Sequence, residues 1–332
     1  MTEQAFRTRI TELLGITHPI LAGGLMWLAD ARYVAAAVNA GAMGFITAKT
    51  FPDPERFREE LRLAKGLTGG KPFGVNLYLA VHGGDDAVLK SHTRVMLDEG
   101  VRLVETAGRP PKALVPILKE AGCTVVHKVA SVRHAVSSQK LGVDAITVVG
   151  AECGGHPGLD LIGTMVQTPL AARQLSLPFA VGGGIGCGQQ LAAALAMGAD
   201  AVVVGTRFTV AEEIWADPSY KDRVLSAGTT GSRLVLQSFR NTMRVVDNEA
   251  ARRVAAMEAE GQEDFEVFRP LVAGKEAFTA YETGDVERGL LSMGPSAAFA
   301  ERVEPLGSII HRMVEEASQG ADRLQAARPS AL

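Results

Sequence analysis

Along the first two thirds of the chain, short apolar runs alternate with longer amphipathic stretches. The runs fall over residues 18–25, 42–48, 73–79, 102–106, 124–129, 145–149, 178–181 and 201–204. Most are continuously apolar rather than alternating, as expected of parallel strands covered on both faces. Helical stretches lie between them, over 29–40, 53–67, 87–99, 111–121, 132–141 and 189–197. Several run into a glycine just before the next strand: Gly41, Gly100, Gly122, Gly142 and Gly198. Glycine is favoured there because it reaches positive φ without Cβ strain. Eight evenly spaced strand–helix units predict an α/β protein built as a (β/α)8 barrel, in preference to an open doubly wound sheet.

From Thr209 the rhythm stops. The sequence turns helical and charged, as in AARRVAAMEAEGQEDFEVF, after a loop-like GSRLVLQSFRNTMR. No strand pattern stands out after Phe208. We therefore expect a barrel core over 1–208 and a helical C-terminal elaboration over 209–332, packed on the barrel's end, with a tail that frays from Ser318.

Composition narrows the function classes. Hydrophobic residues make up 47% of the 332 residues and charged residues 21%, an ordinary globular balance that excludes global disorder. The formal net charge of -3 leaves no large basic face for nucleic acid. Cys123, Cys153 and Cys187 form no CxxC pair, which argues against a disulfide framework or a structural zinc site, and we expect no metal. The start of the chain has no apolar leader, and the longest uncharged stretch, 33–48, is too short and too broken to span a membrane. The expectation is a reduced, soluble cytoplasmic protein without a membrane partner.

A barrel of this kind carries its site at the C-terminal ends of its strands. That rule selects Gly23 and Gly24 after the first strand, Asn76 on the third and Glu105–Gly108 closing the fourth. It also selects His127 and Lys128 on the fifth, the loop AECGGHPG after the sixth, GGGIG after the seventh and GTR after the eighth. Glycine-rich turns after strands seven and eight suit a phosphate, because the backbone can approach the anion and a helix N-terminus favours negative charge. Tight turns with close helix packing are the alternative. Gly23 and Gly24 either admit a flat ring against the backbone or form a simple β-to-α turn. Lys128 points either into the barrel mouth, where it can stabilise negative charge on a cofactor, or outward as a snorkelling lysine. His127 faces the opposite way to Lys128; we take Lys128 as the inward one. His156, between glycines and Pro157, is placed to hold an imidazole over a ligand; a solvated loop histidine is the alternative. Cys153 reads as a packing residue without an activating base.

At these residues the chain resembles a known family. HPILAGGLM, FGVNL, VVHKVASVRHA, GAECGGHPG, VGGGIG and VVGTRF, in that order, are similar to the nitronate monooxygenases, formerly called 2-nitropropane dioxygenases. HKVASVRHA and SFRNTMRV are most similar to a bacterial branch that includes NADH:quinone reductases. The resemblance implies an FMN-binding TIM barrel. It implies FMN phosphate at Gly183, Gly184, Gly205 and Thr206, the ring at Gly23, Gly24 and Asn76, Lys128 near its N1–C2 edge, and His156 as the catalytic residue. The quinone-reductase branch tends to carry proline in the loop after the third strand. Here it reads YLAVHGGDD, which makes 78–86 the expected specificity element.

Three functions follow as expectations. The first is oxidation of an alkyl nitronate with O2 to a carbonyl compound and nitrite. The second is NAD(P)H-dependent reduction of a quinone or an enoyl thioester on the same flavin. The third is a flavin-binding module without turnover.

Overall fold

The computed structural model describes residues 6–80 and 86–327. Its elements follow in chain order. They begin with α1 (Arg9–Leu14), β1 (Ile20–Ala22), α2 (Ala31–Asn39), β2 (Met43–Thr47), α3 (Pro54–Leu67), β3 (Gly74–Leu79) and α4 (Asp86–Asp98). There follow β4 (Leu103–Gly108), α5 (Leu114–Glu120), β5 (Thr124–Val129), α6 (Val132–Gln139), β6 (Ala145–Val149), α7 (Thr164–Gln174), β7 (Phe179–Gly182), α8 (Gly188–Ala196) and β8 (Ala201–Val204). Beyond a 3-10 turn at Thr206–Val210 lie α9 (Pro218–Leu225), β9 (Ser232–Val235), β10 (Met243–Val246), α10 (Glu249–Ala259), α11 (Phe265–Val272), α12 (Gly274–Thr283) and α13 (Leu306–Ala326).

Strands β1 to β8 pair in parallel with their sequence neighbours, and β1 pairs with β8, so the sheet closes into the expected barrel. Period-two alternation divides each strand. Leu21, Met43, Phe45, Val126, Ala145, Ala180, Ala201 and Val203 fill the interior, where α1 adds Ile10 and Leu14. Large and small residues interlock there. A Cβ on Gly74 would lie 2.2 Å from the ring of its register partner Phe45, so glycine is what admits that ring. Truncating fully buried Phe45 to alanine would cost about 3–5 kcal/mol. The opposite faces, Val75, Val104, Val125, Val148 and Val202 among them, pack under the helices. The five helix-end glycines all adopt positive φ, from 74° to 100°.

Three expectations need correction after Phe208. β9 and β10 form an antiparallel pair within the stretch read as loop. Each strand has only four residues, too few for a pattern to register, yet Val235, Val245 and Val246 are buried. The tail does not fray at Ser318, because α13 continues to Ala326. Nor does α13 sit at the barrel's end: it packs along α8 and α2, in the helical wall. Among the described residues, no helix is long and apolar enough to cross a membrane.

Candidate active site

Three neighbouring strands carry inward polar residues, mid-strand on β3 and β4 and near the C-terminal end of β5. Asn76 on β3 and Glu105 on β4 are register partners, and Lys128 on β5 lies one inward position further along. Glu105 Oε2 accepts from Lys128 Nζ at 2.9 Å and also from Asn76 Nδ2. Glu105 is 1% exposed, and its second oxygen, Oε1, is buried without a partner among the described residues. His127 faces outward, as expected from alternation. It is buried beneath the helices with Nδ1 2.9 Å from the Thr106 hydroxyl. Burial pushes its imidazole down to about 4, so it is neutral at pH 7.

A cavity of about 140 Å³ opens above this floor. Gly23, Gly24, Lys128, Gly183, Gly184, Gly205 and Thr206 all line it, so the structure brings seven of the nine expected site residues together on one surface. Asn76 lies behind it. A Cβ on Gly24 would be 2.9 Å from that of Asn76, so the asparagine supports the β1 turn directly. The Tyr33 hydroxyl donates to Gly23 O at 3.3 Å and Gly23 N donates to Val204 O at 2.9 Å, which fixes the turn from both sides.

At the opposite end Gly183 and Gly184 have φ of +103° and +74°. A Cβ on Gly183 would stand 2.9 Å from Thr164 Oγ1 and 3.0 Å from Gly150 N. Glu152 takes the first N–H of α7, with Thr164 N at 3.1 and 3.0 Å from its two oxygens. The helix after β7 departs from expectation. Glu316 of α13 accepts from Gly188 N at 2.7 Å, and Gln190 Oε1 accepts from Gly186 N at 2.7 Å. The N-terminus of α8 is therefore already capped, and an anion at this end would meet the glycine turns and Thr206 instead. Thr206 Oγ1 accepts from Gly294 N at 2.9 Å, leaving its hydroxyl hydrogen to donate.

His156 does not line the cavity; it stands on the loop beside it. Gly155 and Arg244 exchange two backbone hydrogen bonds, Gly155 N to Arg244 O at 2.9 Å and Arg244 N to Gly155 O at 2.6 Å. Arg244 Nε also donates to Ala151 O at 3.1 Å. The β9–β10 hairpin thus braces the loop. Glu258 holds the hairpin's turn by accepting from Leu236 N at 2.8 Å and Ser238 N at 2.9 Å. His156 keeps exposed surface while protein crowds its other sides. That desolvation lowers its pKa, against an opposing hydrogen bond with the Asn241 side chain. Cys153 lines the cavity, and burial pushes its thiol up to about 12, so it is protonated.

Sequence reasoning assigned no role to three contributors, although it had placed Glu105 at a strand end. Glu105 had a usable signal, an acid at an inward position between an inward asparagine and an inward lysine. Asn241 and Arg244 had none, because their hairpin was read as loop. Most of the expected specificity loop, residues 81–85, lies outside the described residues.

Fold and site together define a (β/α)8 barrel with a glycine-rich cavity at its strand C-termini. The sequence pattern of the nitronate monooxygenase family matches residues 7–316, and the chain belongs to that family of flavin-dependent enzymes. It is similar to a (3aS,4S,5R,7aS)-5-hydroxy-7a-methyl-1-oxo-octahydro-1H-indene-4-carboxyl-CoA dehydrogenase of Mycobacterium tuberculosis, with 36% identity over 68% of this chain. The match spans 62% of that relative's length. FabK of Thermotoga maritima superposes with a TM-score of 0.89 at 31% identity, covering 97% of this chain and 100% of that one. A probable nitronate monooxygenase of Staphylococcus aureus is 25% identical over 94% of this chain and 98% of its own length.

Proposed function

We propose that the chain is an FMN-dependent oxidoreductase that acts at the α,β carbon–carbon bond of an acyl thioester. The observation that carries the thioester is the ranking of similarity. The acyl-CoA dehydrogenase and FabK, an enoyl reductase, stand at 36% and 31% identity, above the nitronate monooxygenase at 25%. Nitronate oxidation with O2 is the second reading, favoured by the family description and by relatives that align over almost the whole chain.

The residues fit FMN. A Cβ at Gly24 or Gly183 would collide with its surroundings, whereas one at Gly205 would meet only Leu25 Cδ2 at 3.7 Å. Packing alone therefore does not require glycine at 205, and a phosphate approaching the backbone does. The chain has no GxGxxG fingerprint to hold an adenine half, which favours FMN over FAD. Gly183, Gly184, Gly205 and Thr206 would hold the phosphate. Gly23 and Gly24 would lie against the ring, Lys128 would orient its polar edge, and Asn76 would support the β1 turn from behind. When bound, the flavin supplies hydride and electron transfer. The chain supplies the proton chemistry. Neutral His156 accepts a proton from the carbon α to the thioester carbonyl in the oxidising direction and returns it in the reducing direction. Protonated Cys153 takes no nucleophilic part.

Anaerobic mixing in separate cuvettes tests the reading. We expect a saturated acyl-CoA to bleach the yellow protein, or an enoyl-CoA to restore colour after reduction by NADH or NADPH. If thioesters do neither and a nitronate bleaches the flavin, the second reading replaces the first.

A further inference from the structure

A carboxylate buried in a barrel interior requires compensation, and among the described residues Glu105 receives it from two groups. Lys128 Nζ and Asn76 Nδ2 both donate to Oε2, while Oε1 has no partner among the described residues. The phenol of Tyr33, donating to Gly23 O, and the imidazole of His127 on the outer face of β5 are other titratable groups whose charge state Glu105 influences. Of the three clustered side chains only Lys128 reaches the cavity surface, with 21% of its side chain exposed. An ammonium on four rotatable bonds would otherwise sample many positions there; the ion pair selects one.

We propose that Glu105 is a positioning residue of the cofactor site: it holds the Lys128 ammonium and the Asn76 amide in one neutral cluster, so that the floor presents an oriented N–H donor to the ring rather than an uncompensated positive charge. This rests on the flavin part of the proposed function and not on the choice of substrate. It carries a consequence of definite sign. Lys128 favours electron-rich reduced flavin, and Glu105 opposes it at nearly the same place.

The experiment is spectroelectrochemical titration of the flavin-loaded wild type, Glu105→Gln, Lys128→Met and the double variant. Removing the acid should shift the two-electron reduction equilibrium about tenfold toward reduced flavin, a potential about 30 mV more positive. Lys128→Met should move it by a similar amount the other way. The double variant, again neutral, should return close to the wild type. A purely structural Glu105 would lower the melting temperature without producing this order. Glu105→Gln strands Lys128 and could fail to fold; the double variant against Lys128→Met then decides. A potential that rises on removing the acid supports the proposal, and one that stays or falls overturns it. A protein that takes up no flavin overturns both this and the proposed cofactor. A yellow protein whose potential ignores Glu105 overturns this alone, whatever substrate is turned over.

Discussion

At the β7–β8 end of the cavity, Gly182, Gly183, Gly184 and Gly205 present backbone alone, whereas at the β3–β5 end Lys128 reaches the surface from a cluster with buried Asn76 and Glu105. The two ends would respond to change by different physics. The glycine end is steric: a Cβ on either of its two positive-φ residues would stand 2.9–3.2 Å from the nearest neighbouring atom, so a substitution at either has nowhere to go. The polar end is electrostatic. Loss of one charge leaves its partner buried and unpaired, but loss of both restores neutrality, so effects there are graded and a second substitution can compensate.

The largest effect should come from the glycine end. Gly183→Asp adds a Cβ 2.9 Å from Thr164 Oγ1, forces φ of +103° on an L side chain, and adds a negative charge where a phosphate would bind. We expect a colourless protein, read from the ratio of flavin to protein absorbance. Gly205→Ala, with 3.7 Å of room, should stay folded and hold flavin less tightly. A fully yellow Gly183→Asp would break the contrast, since the glycine end would then tolerate side chains after all.

His156 belongs to neither end, and His156→Asn should separate chemistry from cofactor binding. Flavin content should be unchanged while turnover falls by about 10²–10⁴-fold, the usual contribution of a general base. The lowered pKa has a pH signature. The imidazole stays neutral below the ordinary histidine value of about 6.5, so the proton-accepting rate should hold down to that pH and fall only below it. The pH profile of kcat/KM checks this, and wild-type rates in His156→Asn would leave it a loop histidine. Under the nitronate reading, the same variant should cripple neutral nitroalkanes and spare preformed nitronates, which have already lost the proton.

This contrast also governs what the sequence makes legible. The eight strands are readable because strands buried on both faces are continuously apolar, and the glycine end because GGGIG and GTR follow two of them. α7 is harder to see. Proline interrupts it at Pro169, and Met165 and Val166 point to solvent, so apolar residues do not mark one face. The floor is only half legible. Asn76 and Lys128 stand out on apolar strands, but Glu105 acquires meaning only through the register that sets β4 between them. The bracing of His156 is not local at all: Gly155 and Arg244 are distant in sequence, and no periodicity predicts their bridge.

On the outer side of the same strand as Lys128, His127 offers a stability test independent of the site. Its imidazole titrates near 4 in the folded chain and near the ordinary 6.5 when unfolded. Between those values the unfolded chain binds more protons, so stability rises with pH across the window and falls on acidification from about 6.5 toward 4. The full difference corresponds to at most about 3 kcal/mol. His127→Gln cannot titrate and can still bond to the Thr106 hydroxyl. Its urea midpoint should therefore change less between pH 7 and pH 4.5 than that of the wild type. Equal changes in the two proteins would mean that His127 is protonated inside the fold.

The smallest effect is expected where a reactive side chain lines the cavity without acting. Cys153 borders the space with Lys128 and Glu152. Lys128 and Arg244 both favour its thiolate, but burial outweighs them and the thiol is pushed up to about 12. At neutral pH the thiol therefore stays protonated, which does not suit a nucleophile. Cys153→Ala removes one small half-buried group from between the two ends, so flavin content should be retained and turnover should stay within about threefold of the wild type. Thiol reagents should likewise label Cys153 slowly in the folded enzyme, as mass spectrometry of a time course would show. Loss of turnover approaching that of His156→Asn, with flavin still bound, would place the thiol in the chemistry and require a base near it that burial has not been seen to supply.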